Sequence, residues 1–87
     1  MKIASRPTYR IERKPEVITK TGLSRSTLHL RIKQGLFVPP ISLGARAVGW
    51  LSFETDAVLG AMIAGKASDE IKSLVEKLIA ERKNSRH

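Results

Sequence analysis

Arg25, His29 and Lys33 follow one another at four-residue intervals in a stretch that reads as helix, so their side chains lie on one stripe and point the same way. Guanidinium, imidazole and ammonium groups are hydrogen-bond donors suited to phosphate oxygens and to the acceptor edges of bases in a major groove. The chain offers little for catalysis. His29 and His87 are far apart in sequence, and no carboxylate pair sits at an acid/base or metal-ligand spacing. There is no cysteine and no glycine loop of the kind that cradles phosphates. The reading is a binding protein and not an enzyme, with no cofactor, no metal and no small-molecule substrate.

The stripe needs an element to carry it, and the residues before it supply one. Lys14-Pro15-Glu16-Val17 opens a helix expected over 14–21, with Pro15 in the first turn, where a missing N–H costs nothing. Val17, Ile18 and Leu23 supply its buried side. Gly22 follows as the residue that turns with positive φ, and Ser24 is placed to cap a second helix over 25–34 by accepting a backbone N–H. Leu28, Ile32 and Leu36 form the buried side of that helix and Gly35 its stop. Helix, glycine turn and a second helix with a polar basic start form a helix-turn-helix pattern. Its second helix presents Ser24, Arg25, Ser26, Thr27, His29 and Lys33 as the candidate DNA-reading set.

Beyond Pro39 and Pro40, which bar helix, Ile41-Ser42-Leu43 and Val48-Gly49-Trp50-Leu51 read as two short strands around Gly44-Ala45-Arg46-Ala47. This is a hairpin wing with Arg46 near its tip. Tyr9 to Arg13 alternates like a further short strand. Trp50, the single tryptophan, reads as a core anchor. A third helix is expected over 53–64, capped by Ser52 and burying Val58, Leu59, Met62 and Ile63. Gly65 ends it, and Ser68 caps a last helix whose Asp69 and Glu70 suit its positive end and Lys83 its negative end. The stripe Ile71, Leu74, Val75, Leu78 and Ile79 must be covered, either by folding back on the core or by a second copy of the chain.

Charge divides the chain. The 87 residues carry a net +8, and residues 1–51 hold ten lysines and arginines against Glu12 and Glu16, while residues 52–87 are balanced. A basic half that also carries the turn motif points to a polyanion partner, and the neutral half to packing. Lys20, Arg31, Lys33 and Arg46 are placed to neutralise phosphates, with Lys2 and Arg6 of the leading segment adding more. Five neutralised phosphates would make log affinity fall with log salt at a slope near about −4.5. The organisation expected is a basic arm over 1–8, a winged helix-turn-helix over 9–65 and a C-terminal amphipathic helix over 66–87. No early apolar run suits a signal peptide or membrane span, so the expected location is cytoplasmic, with no membrane partner.

Lys14-Pro15-Glu16-Val17, Thr21-Gly22-Leu23-Ser24-Arg25-Ser26-Thr27-Leu28 and Leu43-Gly44-Ala45-Arg46-Ala47-Val48-Gly49-Trp50, in that order and spacing, resemble the AlpA-like phage and prophage regulators. That family is related to excisionases and to the DNA-binding domain of MerR-type regulators. The resemblance covers about 9–64. It implies a mainly α fold with a small β-hairpin wing, and sequence-specific binding of double-stranded DNA at an operator or attachment site. It also implies a role in activating an integrase promoter or in directing prophage excision, with integrase or a second copy of the chain as further partners. By position, Ser24, Arg25, Ser26 and Thr27 fall on the recognition helix and Arg46 on the wing. His29 stands where the family usually has tyrosine, Ala45 where a second wing glycine is common, and Ala47 where serine is common. The alternative reading is a small protein-binding inhibitor or adaptor that uses the last helix, with DNA contact secondary.

Overall fold

A computed structural model describes residues 10–84. In chain order these form β1 (Ile11–Glu12), α1 (Lys14–Thr21), α2 (Arg25–Lys33), β2 (Ile41–Gly44), β3 (Ala47–Leu51), α3 (Ser52–Ile63) and α4 (Ser68–Asn84). The architecture is a winged helix-turn-helix, mainly α with a small antiparallel sheet. The sheet has three strands in the order β1-β3-β2, one more than the two-stranded wing expected from the sequence. Ile11 pairs with Leu51 and Glu12 with Trp50, and the ladder continues as Ser52 N–H donates to the Arg10 carbonyl at 2.8 Å. Of the short strand expected over Tyr9 to Arg13, Ile11–Glu12 form the sheet's other edge, and Tyr9 lies outside the described residues. The expected arm over 1–8 lies outside the described residues.

The turns that set the two helices follow the glycines. Gly22 takes φ +74 and donates its N–H to the Ile18 carbonyl at 2.8 Å, closing α1, and Gly35 takes φ +78 just past α2. α1 opens with the Arg13 N–H bonded to the Glu16 carboxylate at 2.8 Å. Two expected caps are corrected. Ser52 and Ser68 are the first residues inside α3 and α4, not the residues before them. At α3, the strand ladder already satisfies Ser52 N–H, and at α4 Glu70 reaches back to the Ala67 N–H at 3.0 Å.

The core gathers Val17 and Leu28 from the two motif helices, Phe37 and Val38 from the connector, Trp50 from β3, Val58 from α3, and Ile71, Val75 and Leu78 from α4. Trp50 is fully buried, as its sequence setting implies, and its indole N–H donates to the Val38 carbonyl at 2.9 Å. Of the α4 stripe, Ile71, Val75 and Leu78 are buried against the chain's own core, and Leu74 and Ile79 pack against it partly buried. Ile63 is a second correction. Expected inside, it is 78% exposed, while Glu54 and Thr55 of α3 are buried instead.

Burial of Glu54 is possible because Arg82 answers it. The Arg82 guanidinium donates through Nε and Nη2 to both Glu54 oxygens, the shortest bond being 2.6 Å, and Nη2 also reaches the Pro39 carbonyl at 2.7 Å. One side chain near the end of α4 thus ties together α3, α4 and the proline connector. A fork of this kind supplies two parallel charge-assisted bonds in fixed geometry.

Two substitutions check this packing. A Cβ on Gly49 would lie 2.6 Å from Ile11 Cγ2 and 3.1 Å from the Glu12 carbonyl oxygen, so Gly49→Ala should cost about 1–3 kcal/mol and lower the Tm by at least about 4 °C. Arg82→Ala should cost about 3–5 kcal/mol because it leaves the Glu54 carboxylate buried alone, whereas Arg82→Leu combined with Glu54→Leu should recover much of that loss in the same thermal melts.

Candidate nucleic-acid interface

α2 starts on a well-made cap. Ser24 holds extended backbone at φ −70, its Oγ accepts the Thr27 N–H at 3.2 Å, and its hydroxyl donates to Thr27 Oγ1 at 2.9 Å. Both hydroxyls are therefore committed to starting the helix. Arg25, Ser26, His29 and Lys33 are exposed, and Leu28 is buried. Arg31 and Thr27 are half-buried. Arg46 is exposed in the turn between β2 and β3, next to Ala45, whose φ of +47 is the one positive value at a described residue other than glycine. Holding alanine there costs about 1–2 kcal/mol, which is why glycine is common at such a site.

Lys20 has a different setting from the other candidate cations. Its Nζ donates to Glu12 Oε2 at 2.9 Å and to Thr55 Oγ1 at 2.9 Å and forms an ion pair with Asp56, while the Thr55 hydroxyl donates to Glu12 Oε1 at 2.6 Å. Partial burial alone would push its pKa down, but hydrogen bonds and charge from Asp56 and Glu12 outweigh that and hold it above the ordinary lysine value of 10.5. The ammonium placed by sequence among the phosphate contacts is occupied as the hub between β1, α1 and α3. The partners that give it this work are Glu12, eight residues before it, and Thr55 and Asp56, more than thirty residues after it.

The structure also adds a residue that the sequence reading passed over. Lys14, the first residue of α1, places Nζ 2.9 Å from His29 Nε2 on α2. The two are fifteen positions apart, and no helical or strand period connects them. Only the crossing of the motif helices brings them together.

Charge over this region is one-sided. Residues 17–53 contain Lys20, Arg25, Arg31, Lys33 and Arg46 and no aspartate or glutamate. Among the described residues, Lys20 alone of these five has a carboxylate within 4.0 Å. Lys2 and Arg6 lie outside the described residues. Among the described residues no group of three or more histidine, cysteine or acidic side chains is placed to hold a metal ion. Among the described residues no helix is long and apolar enough to cross a membrane.

A family model described as Prophage CP4-57 regulatory protein (AlpA) matches residues 10–57, from the start of β1 into α3. The chain belongs to the AlpA family. It is also similar to a curated protein of Enterobacteria phage P4, named "Uncharacterized protein ORF88", with 46% identity over 57 residues. That match takes in 66% of this chain and 65% of the relative, so it spans just under two thirds of the relative's length. No solved structure matches. The AlpA family is a family of phage regulators, and the matched residues include the whole helix-turn-helix and the wing. α4 falls outside the match.

The Lys20 hub gives a pH signature. A raised folded value means that the stabilisation is fully present below the unfolded lysine value and is lost as pH climbs through the higher folded one. Thermal melts across pH 8–12 should therefore show a fall beginning above about pH 10.5 that Lys20→Met, already less stable at neutral pH, lacks. An identical alkaline fall in both proteins would remove Lys20 from the account.

Proposed function

We propose that this chain is a sequence-specific reader of double-stranded DNA that regulates a prophage or related mobile element. In this reading, α2 lies in a major groove with Arg25 on a guanine edge, and Ser26 and His29 contact bases or phosphate. Arg31 and Lys33 neutralise phosphates flanking the groove, and Arg46 carries the wing to the backbone or the minor groove beside it. Ser24 and Thr27 act indirectly, by fixing where the helix begins. The observation that carries this reading is the acid-free span 17–53, in which the cations of α2 and the wing are left without carboxylate partners while Lys20 is used internally.

The regulatory output that fits the family is activation of an integrase promoter, control of excision, or both, at an operator or attachment site. A single module of this size covers about 600–1,000 Å² on DNA, so tandem sites, a second copy or a bound integrase would supply the remaining specificity. Burial of Ile71, Val75 and Leu78 in the core favours this reading over the adaptor reading built on the last helix, to which Leu74 and Ile79 remain partly open.

Fluorescence anisotropy against DNA from upstream of the chain's own gene and a scrambled duplex, over a salt series, tests the proposal. With Lys20 occupied, Arg31, Lys33 and Arg46 remain to neutralise phosphates, and log K should fall with log salt at a slope of about −2.7. Arg25→Ala should weaken native binding by about 1–3 kcal/mol and remove the preference over the scrambled duplex. Arg46→Ala should weaken both duplexes alike and reduce the slope by about 0.9. A slope near zero, or equal affinity for the two duplexes, would reject the assignment.

A further inference from the structure

We infer that Lys14 is a positioning residue for recognition, fixing the His29 imidazole in one tautomer so that it offers a single hydrogen-bond donor to an acceptor on DNA. This rests on the DNA-binding reading above. A lysine ammonium has three donors and no acceptor, so across the 2.9 Å contact His29 Nε2 must be the acceptor. An imidazole that accepts at Nε2 while neutral carries its proton on Nδ1. His29 is exposed, and the described residues give Nδ1 no partner, so that N–H is available to a ligand. The contact therefore determines which hydrogen-bonding group the middle of the stripe presents. It is a donor, complementary to a purine N7 or a phosphate oxygen.

The surroundings keep this arrangement free of competing acceptors. On α2, His29 is flanked one turn either way by Arg25 and Lys33, and on α1 by Lys14 itself. The acids on the neighbouring elements are engaged elsewhere. Glu12 and Asp56 hold Lys20, Glu16 takes the Arg13 N–H, and Glu54 is forked by Arg82. Among the described residues no carboxylate approaches within 4.0 Å of the ring. Protonating His29 would remove the lone pair that Lys14 uses and put two cations face to face.

The test has a DNA-free arm and a DNA arm. In the free protein at pH 8, imidazole ¹⁵N NMR should show His29 as the Nδ1–H tautomer. Lys14→Met should shift it toward Nε2–H, and Lys14→Arg, which restores a donor, should return it. On native duplex, His29→Gln and Lys14→Met should each weaken binding about threefold to tenfold, the worth of one hydrogen bond. Replacing purines by 7-deazapurines identifies the acceptor. If the penalty of His29→Gln vanishes on that duplex, the acceptor is a purine N7; if it persists, the acceptor is phosphate. An Nε2–H tautomer in the wild type, or one unmoved by Lys14→Met, overturns the inference even if DNA binds tightly. Absence of salt-dependent binding by the wild type instead rejects the DNA-binding reading, and the NMR arm still decides the tautomer.

Discussion

Because residues 17–53 carry no acid, every carboxylate that closes this small basic domain comes from outside that span, from β1 and from the start of α3. Glu12 and Glu54 are both buried, and a buried carboxylate is stable only when a cation and further hydrogen bonds surround it. The fold meets that requirement twice. Lys20, with Thr55, answers Glu12 and joins the first helix of the motif to the sheet edge and α3. Arg82 answers Glu54 and joins the last helix to α3 and the connector. The orientation of the helix-turn-helix relative to the sheet depends on these two clusters as much as on the apolar core.

The same arrangement separates cations that hold the protein together from cations that face outward. Lys20 and Arg82 sit beside carboxylates, with side chains only 21% and 19% exposed, while Arg25, Lys33 and Arg46 are exposed. A charge count cannot make this distinction, because a lysine in an ion pair and a lysine open to solvent contribute equally to a net charge. The local field can. It is cancelled around Lys20 and left uncompensated around α2 and the wing, where it would draw in a polyanion and fall away with added salt.

Short-range patterns made much of the architecture legible. Gly22 and Gly35 mark helix ends because positive φ is cheap only for glycine, Ser24 marks a start because its hydroxyl replaces a missing acceptor, and Trp50 is an anchor by size. The features that escaped have one cause, which is distance along the chain. Glu54 lies one turn before Val58 on the buried side of α3, where its charge argues for solvent instead, and nothing local announces Arg82, 28 positions later. Phe37 and Val38 lie in a connector without a period, yet both are fully buried. β1 is two residues long and exists because Leu51 and Trp50 pair with it. In the candidate interface, the exposed stripe follows from spacing, whereas the partnership of Lys14 with His29 and the internal use of Lys20 require the helices to be crossed in space.

The fold-back of α4 bears on what counts as the unit of inheritance in this protein. The stretch shared with the AlpA family stops at residue 57, inside α3, before Val58 and before the helix that contributes Ile71, Val75 and Leu78 to the core. The segment recognisable as a family module and the segment that folds are therefore different lengths of chain. A recombination event or a cloning boundary drawn at the edge of the family match would carry away the exposed residues of α2 and the wing without the side chains that keep them in place. A tail exchanged between relatives must bring its own apolar stripe and its own partner for Glu54.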